Sequence, residues 1–329
     1  GTPMPQYDLV LILIAQLVLF TVWFLLYRTR WGVLVRAATE DRLMLSALGV
    51  NQNRIYTSIF ILGAFLTGLG GALQLPKGGA DLLMDLNVLA AAFVIVVVGG
   101  MGSITGAYLA AIIIGELSTF GILVLPQSTL ILMFVIMALV LVVRPNGLLG
   151  KPGTHNSDSN QIIHRPLNPA TTEQKWAGMV LLGGLLLVPA FTQEYLLVLL
   201  TETAIMTLAA MSLYVMMGPG GMVSFGHAAF FGGGAYTCAL LVHFIDSPMV
   251  LALLLAPVFT GLLALLIGWF CVRLSGVYLA MLTLAFAQIC WSIVFQWSSF
   301  TGGDDGILGV WPSRWASTRT AFYYLTLLI

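Results

Sequence analysis

Repeated apolar runs of about twenty residues limit the folds open to this chain more than any other feature. A helix of that length rises about 1.5 Å per residue, and so it matches the roughly 30 Å hydrocarbon layer of a bilayer. Of the 329 residues, 59% are hydrophobic and 8% are charged, whereas soluble proteins carry roughly a quarter charged residues. We therefore predict an all-α fold, a polytopic transmembrane helical bundle in contact with the lipid bilayer, and exclude an ordinary soluble globular protein.

Two glycine-rich stretches interrupt the apolar runs, at residues 99–103 and 218–227. Backbone that leaves the helical conformation at membrane depth must find hydrogen-bond partners in protein or in a water-filled cavity. We therefore predict glycine-rich broken helices whose breaks lie inside the protein. At the first break, close packing of small residues is favoured over direct substrate contact. At the second, a functional role for His227 competes with a neutral histidine bonded to a freed backbone carbonyl.

Two acidic residues, Glu116 and Glu202, fall inside apolar runs. A charge at the centre of a membrane helix costs at least about 2.5 kcal/mol, so each is expected to face the interior of the bundle or to be protonated. Glu116 lies nearer the middle of its run, which makes it the better candidate for a structural or pathway role.

Residues 28–54 form a polar island between two apolar runs. Five of the thirteen basic residues lie here: Arg28, Arg30, Arg36, Arg42 and Arg54. Such a cluster is typical of a cytoplasmic loop, and fixing the orientation of the chain in the membrane is the simplest role for it.

The same loop carries signals for local folding. Arg36 and Glu40 are spaced to pair on one helix face, and an apolar stripe follows them, so the pattern predicts a short amphipathic helix. Gly49 is predicted to end this helix, and Asn51 or Asn53 to cap the next one. The stripe consists of Leu43, Met44, Ala47 and Leu48.

A stretch rich in proline and polar residues divides the chain. Residues 148–175 show no apolar period, which is typical of a linker. One membrane segment, residues 1–147, precedes it, and a second, residues 176–329, follows. With residues 28–54 inside the cell, both segment ends that meet the linker fall on the same side, so the linker is expected to be cytoplasmic and mobile.

The sequence shows no catalytic constellation. It has no lysine-containing phosphate-binding loop, and no nucleophile, base and acid at a workable spacing. The three cysteines lie in apolar runs without metal-site spacing, and Asp304 with Asp305 favours an exposed turn over a calcium site. We therefore expect no enzyme activity, no metal and no cofactor. No basic stripe with interleaved aromatic residues indicates a nucleic acid partner.

The polar island resembles the coupling loop of the permeases of ABC uptake systems. The similar positions are residues 36–42, residues 47–51 and Arg54, and the match is to the branched-chain amino acid family. In that family, the short helix of the loop docks into a groove on the ATP-binding subunit. The resemblance implies the same role for Arg36, Glu40, Asp41, Arg42, Gly49, Asn51 and Arg54.

The two membrane segments resemble two different permeases of this family. The first is similar to the carboxy-terminal half of a LivH-type permease, in residues 93–108 and 144–148. The second is similar to the beginning of a LivM-type permease, in residues 223–231, 234–236, 273–286 and 301–306. The resemblance implies a fusion of the two through the linker. The start of the LivH-like part and the end of the LivM-like part are missing from the match, so we expect a truncated excerpt of a longer protein.

The resemblance implies a multi-pass permease of the bacterial inner membrane, which forms part of the path of a branched-chain or related hydrophobic amino acid. Its implied partners are two ATP-binding cassette subunits on the cytoplasmic face and a periplasmic or extracellular amino-acid-binding protein. The candidate path residues are Gly100, Gly102, Ser103, Ser224, Phe225, Gly226 and His227, with Tyr278 and Thr283 nearby.

Two other functions stay open. One is a urea or short-chain amide permease of the same superfamily. The other is an ion-coupled secondary transporter, which would require acidic residues clustered at the membrane midplane, where only Glu116 is available.

Overall fold

The computed structural model describes residues 6–40, 42–82, 84–124, 129–150, 171–191, 194–310 and 318–328. These residues form helices, turns and loops without a strand, which confirms the predicted all-α fold. Seven of the described helices are long and apolar enough to cross a membrane. The polytopic helical bundle predicted from the apolar runs is therefore confirmed.

The fold divides into two compact units, Gly1–Leu89 and Ala90–Ile329. The first unit contains α1 (Gln6–Arg28), α2 (Arg30–Glu40), α3 (Arg42–Ala47) and α4 (Gln52–Gly78), and α5 (Met84–Gly99) passes from one unit to the other. The second unit continues with α6 (Ile104–Val124), α7 (Thr129–Val143), α8 (Thr172–Phe191), α9 (Glu194–Met217), α10 (His227–Ile245), α11 (Met249–Cys271), α12 (Gly276–Gln296), α13 (Ser298–Thr301) and α14 (Arg319–Leu328).

The first unit is held together by a small core at one end of its two long helices. Val35 and Ala38 of α2, Leu45 of α3 and Ile55 of α4 are buried against one another. The indole N–H of Trp31 also donates a hydrogen bond of 2.7 Å to the Ser58 hydroxyl, which ties α2 to α4. The polar island is therefore a folded element with its own apolar contacts, as the sequence predicted.

The second unit has a core to which both membrane segments contribute. Helices α5, α6 and α7 bury residues such as Val97 and Leu141 in it, and α11 and α12 bury residues such as Cys271 and Leu282. Because α7 precedes the predicted linker and α12 follows it, helices from both sides pack into one apolar cluster. Residues 151–170 of that linker lie outside the described residues, and the division into 1–147, 148–175 and 176–329 stays a prediction about the sequence.

The side chains of Glu116 and Glu202 are both exposed, so neither faces the interior of the described chain, and the alternative that each is protonated stays a prediction. On α6, Ala110 and Ile114 are buried and lie one helical turn apart. Glu116 follows Ile114 by two residues, so it points away from that buried stripe. An all-apolar helix shows no periodicity that would reveal this face in advance.

Candidate functional site: a loop at one end and a cavity beside a broken helix

Arg36 anchors α2 to the end of α1. Its guanidinium donates to the carbonyl oxygen of Leu26 and lies over the ring of Tyr27, with 5.2 Å to the ring centroid. Leu26 belongs to the last turn of α1, where carbonyls lack partners in their own helix and a positive charge is favourable. The side chain of Glu40, the predicted partner of Arg36, lies outside the described residues.

The predicted helix stop and cap are both confirmed. Gly49 has a φ of +76°, and the amides of Gly49 and Val50 donate to the carbonyls of Ser46 and Leu45, which is the Schellman arrangement at the end of α3. Asn51 then caps α4, because its side-chain oxygen accepts a hydrogen bond of 3.3 Å from the amide of Arg54.

The loop differs from the prediction in two respects. It contains two short helices, α2 and α3, where one was expected. Its apolar stripe is also not the face that packs within the chain, because Leu45 is buried whereas Met44 and Leu48 are 65% and 73% exposed. Consecutive residues of a helix point about 100° apart, so the buried Leu45 lies on a different face from the exposed Met44. Asp41, and the side chains of Arg42 and Leu43, lie outside the described residues.

The first glycine break, between α5 and α6, is closed by the chain that follows α7. The amides of Leu148 and Leu149 donate to the carbonyls of Val98 and Gly99 at 2.8 and 3.1 Å. Gly100 packs so closely on this segment that an added Cβ would collide with the backbone of Gly150. Backbone pairing and small-residue packing therefore satisfy this break, which supports the interpretation that was favoured for it.

Ser103 and Gly102 complete the first break. The Ser103 hydroxyl accepts a hydrogen bond of 3.1 Å from the amide of Gly106, so Ser103 caps α6. Gly102 has a φ of +83°, a conformation that side-chain-bearing residues rarely adopt, and it has open space on its Cβ side.

The second glycine break, between α9 and α10, packs directly on α12. The amide of Phe225 donates to the Thr283 hydroxyl at 3.1 Å, and that hydroxyl donates in turn to the carbonyl of Ala280 at 2.7 Å. Gly226 lies so close that an added Cβ would collide with the carbonyl oxygen of Thr283. Thr283 therefore lies directly against this break, whereas Tyr278 packs on the apolar core of the second unit.

His227 bonds to a side chain and not to a freed backbone carbonyl. Its Nε2 lies 2.7 Å from the hydroxyl of Ser212 on α9. Because that hydroxyl already donates its one proton to the carbonyl of Ala209, it accepts from the Nε2–H of His227. The buried Nδ1 of His227 and the buried hydroxyl of Ser224 have no hydrogen-bond partner among the described residues. Two polar groups at this break are thus buried without a partner in the described part of the chain.

A cavity of about 700 Å³ lies between α10 and α12, beside the second break. Phe225 lies at one end of it, and Gly303 and Asp304 of the loop after α13 lie at the other. The two helices run in the same direction, because Phe225 contacts Thr283 near their starts and the rings of Phe244 and Phe300 stack at 5.3 Å near their ends. The volume of the cavity falls within the range of about 300–1,000 Å³ that small-molecule sites occupy.

The cavity contains polar residues that the sequence analysis did not select as path residues. Tyr236, Gln288 and Asp304 line it, and of the predicted path residues only Phe225 does so. Gln288 is a polar residue inside an otherwise apolar run, which is the one sequence signal that could have marked it. The lining does not include Ser224, His227 or Thr283. Ser224 and His227 are near the lining residue Phe225 in sequence, and Thr283 is hydrogen-bonded to it.

Two broken helices, seven helices suited to crossing a membrane and a cavity beside one break define a polytopic membrane protein of the transport permease class. The chain belongs to the family described as branched-chain amino acid transport system / permease component, which matches residues 4–143 and 195–326. It is thus a multi-pass protein of the inner membrane.

Several curated permeases are similar to parts of the chain. The high-affinity branched-chain amino acid transport system permease protein BraD of Pseudomonas aeruginosa is 33% identical over 155 residues, which cover 46% of this chain and 50% of BraD. LivH of Escherichia coli is 32% identical over 126 residues, covering 38% and 41%, and LivM of Salmonella typhimurium is 31% identical over 141 residues, covering 43% and 33%. The chain thus spans half or less of the length of these relatives. No solved structure matches it.

Proposed function

We propose that the chain is the membrane permease component of an ABC uptake system that moves branched-chain and related hydrophobic amino acids, driven by separate ATPase subunits. The observation that carries this proposal is the family match to two long segments of the chain. BraD, LivH and LivM are named as permeases for branched-chain amino acids, and the same substrate class is proposed here. The presence of similarity to both LivH and LivM supports the proposed fusion of the two permease types.

The polar island is proposed as the contact with the ATPase subunits. The structure of α2 and α3 supports this, because their core is buried on the chain itself and leaves Met44 and Leu48 exposed as an apolar surface. In this proposal, Arg36, Gly49 and Asn51 hold the shape of the loop, through the Leu26 carbonyl, the end of α3 and the start of α4. Glu40, Asp41, Arg42 and Arg54 are proposed to contact the partner or to orient it.

The second break is proposed as part of the translocation path. It supplies the unpartnered Ser224 hydroxyl and His227 Nδ1, and it adjoins the cavity through Phe225 and Gly226. Tyr278 and Thr283 are proposed to support it from α12. It stays a prediction that the translocation path contacts Gly100, Gly102 and Ser103. The close packing of Gly100 favours a supporting role for it at the first break.

The two remaining partners follow from the proposed class. An amino-acid-binding protein on the outer face would deliver the substrate, and two ATP-binding cassette subunits would dock on the cytoplasmic face. Among the described residues no cluster of acidic side chains was found that would suit ion coupling, and Glu116 is exposed. A urea or short-chain amide permease is the nearer competitor, and the apolar walls of the cavity favour a hydrophobic substrate over it.

Uptake into proteoliposomes tests the proposal. The full-length protein, reconstituted with its ATPase subunits and binding protein, is expected to accumulate labelled leucine only when ATP is supplied. Excess valine or isoleucine is expected to compete, and urea or acetamide is not. Competition by urea or acetamide alone would favour the amide permease. Uptake that follows an ion gradient without ATP would favour the secondary transporter.

A further inference from the structure

The cavity between α10 and α12 has apolar walls and a polar mouth. Its α10 wall is made of small residues one helical turn apart, Ala228 and Gly232, and Leu263 of α11 contributes to the wall beside Gly233. Asp304 lies at the end furthest from Phe225. The basic residue Arg273 lies at the turn between α11 and α12, which is therefore expected on the cytoplasmic side. Helix α12 then runs outward, and Asp304 marks the outer end of the cavity.

Three polar groups of the lining are available to a ligand. Among the described residues, the Gln288 amide, the Tyr236 hydroxyl and the Asp304 carboxylate have no hydrogen-bond or ion-pair partner. The loop that carries Asp304 is nevertheless fixed, because the buried Thr301 hydroxyl donates to the carbonyl of Trp297 at 2.8 Å and accepts from the amide of Gly303 at 3.3 Å. A carboxylate on a hydrogen-bonded turn and two donors around an apolar chamber suit a molecule with an ammonium, a carboxylate and an aliphatic group.

We propose that this cavity is the outer binding site for the transported amino acid. The Asp304 carboxylate binds the ammonium group, the Gln288 amide and the Tyr236 hydroxyl donate to the carboxylate, and the aliphatic side chain lies against Gly232. The absence of a side chain at Gly232 sets the size that the chamber accepts. This assignment rests on the proposed function and adds to it the residues that select the substrate.

Filling the chamber tests the assignment. An added Cβ at Gly232 meets nothing within 4 Å, so Gly232→Leu projects into free space without a clash. Uptake of leucine by the full transporter is expected to fall at least about tenfold with a raised KM, because a hydrophobic pocket discriminates by about 10–200-fold per methylene. Uptake of the smaller alanine is expected to fall less.

The matched control is Gly261→Leu. Gly261 lies inside α11, also has nothing within 4 Å of an added Cβ, and is not part of the lining. This variant is expected to leave uptake of leucine and its KM unchanged. Equal effects of the two variants, or no effect of Gly232→Leu, would overturn the assignment of the chamber.

The charged end is tested by Asp304→Asn against Asp305→Asn. Both aspartates are exposed in the same turn, but only Asp304 lines the cavity. The KM for leucine is expected to rise at least about tenfold in Asp304→Asn, since the variant removes the carboxylate charge that binds the ammonium group. It is expected to stay unchanged in Asp305→Asn. If the wild-type protein transports no hydrophobic amino acid, the proposed function itself is refuted. If the wild type is active but the Gly232 and Asp304 variants keep its uptake and KM, only the assignment of this site is refuted.

Discussion

At the scale of single residues, polar side chains at the second break were predictable and those of the cavity were not. Ser224 and His227 lie in a glycine-rich stretch of an otherwise apolar chain, so their residue types and positions distinguish them. Tyr236 and Gln288 lie inside helices that are apolar on every side, where no periodicity distinguishes an inner face from an outer one. Only the packing of α10 beside α12 shows that these two side chains share a cavity.

Thr283 is expected to contribute to stability through its hydroxyl. Thr283→Val leaves the amide of Phe225 without its acceptor, and the loss of such a hydrogen bond costs about 0.5–1.5 kcal/mol. The unfolding temperature of the purified complex in detergent is therefore expected to fall. Thr260→Val is the control, because the Thr260 hydroxyl bonds only to the Ala256 carbonyl of its own helix. Equal shifts in the two variants would contradict this role of Thr283.

At the scale of helices, the ends of the elements were more predictable than their contacts. Gly49 and Asn51 were chosen from residue type alone, and both act where predicted, since a left-handed glycine and a side-chain cap are local structures. The buried position of Leu45 depends on where α3 meets α2 and α4, and the sequence of α3 alone does not contain that information.

Substitutions at Gly49 test the effect of backbone conformation without removing or adding side-chain contacts. An added Cβ at Gly49 meets nothing within 4 Å, so a substitution acts only through its φ of +76°. Gly49→Ala is expected to weaken ATP-dependent uptake, because this conformation costs a side-chain-bearing residue about 1–2 kcal/mol. The chain is still expected to insert in the membrane, as shown by its recovery in the membrane fraction.

Gly49→Asn is the control for the same position, because asparagine tolerates the left-handed conformation better than alanine does. Its uptake is expected to lie nearer that of the wild type. If alanine and asparagine reduced uptake equally, the conformation of Gly49 would not be what couples the loop to ATP hydrolysis.

At the scale of the whole molecule, one core joins the parts of the chain on either side of the predicted linker. A protease site inserted between residues 151 and 170 is therefore expected to yield two membrane pieces that purify together in mild detergent. The contacts responsible are those of α7 with α12, where Leu141 and Leu282 are fully buried. Pieces that separate readily would contradict a shared core.

Substitutions in this core show whether it causes the association. In the cleaved protein, Leu282→Ala is expected to release the pieces more readily, since removing a buried leucine side chain costs about 2–5 kcal/mol. Leu254→Ala on the exposed face of α11 is the control and is expected to have no effect. The comparison is made by co-purification through a tag on one piece.

The backbone pairing at the first break has a mechanical consequence. The carbonyls of Val98 and Gly99 accept hydrogen bonds from the amides of Leu148 and Leu149, so the end of α5 cannot shift against residues 148–149 unless both carbonyls lose their partners. In an apolar medium each stripped group costs several kcal/mol. The end of α5 and the segment after α7 are thus joined by two main-chain bonds that resist their separation. The second break is held differently, by the packing of Gly226 on α12 and by the bond from the Phe225 amide to the Thr283 hydroxyl.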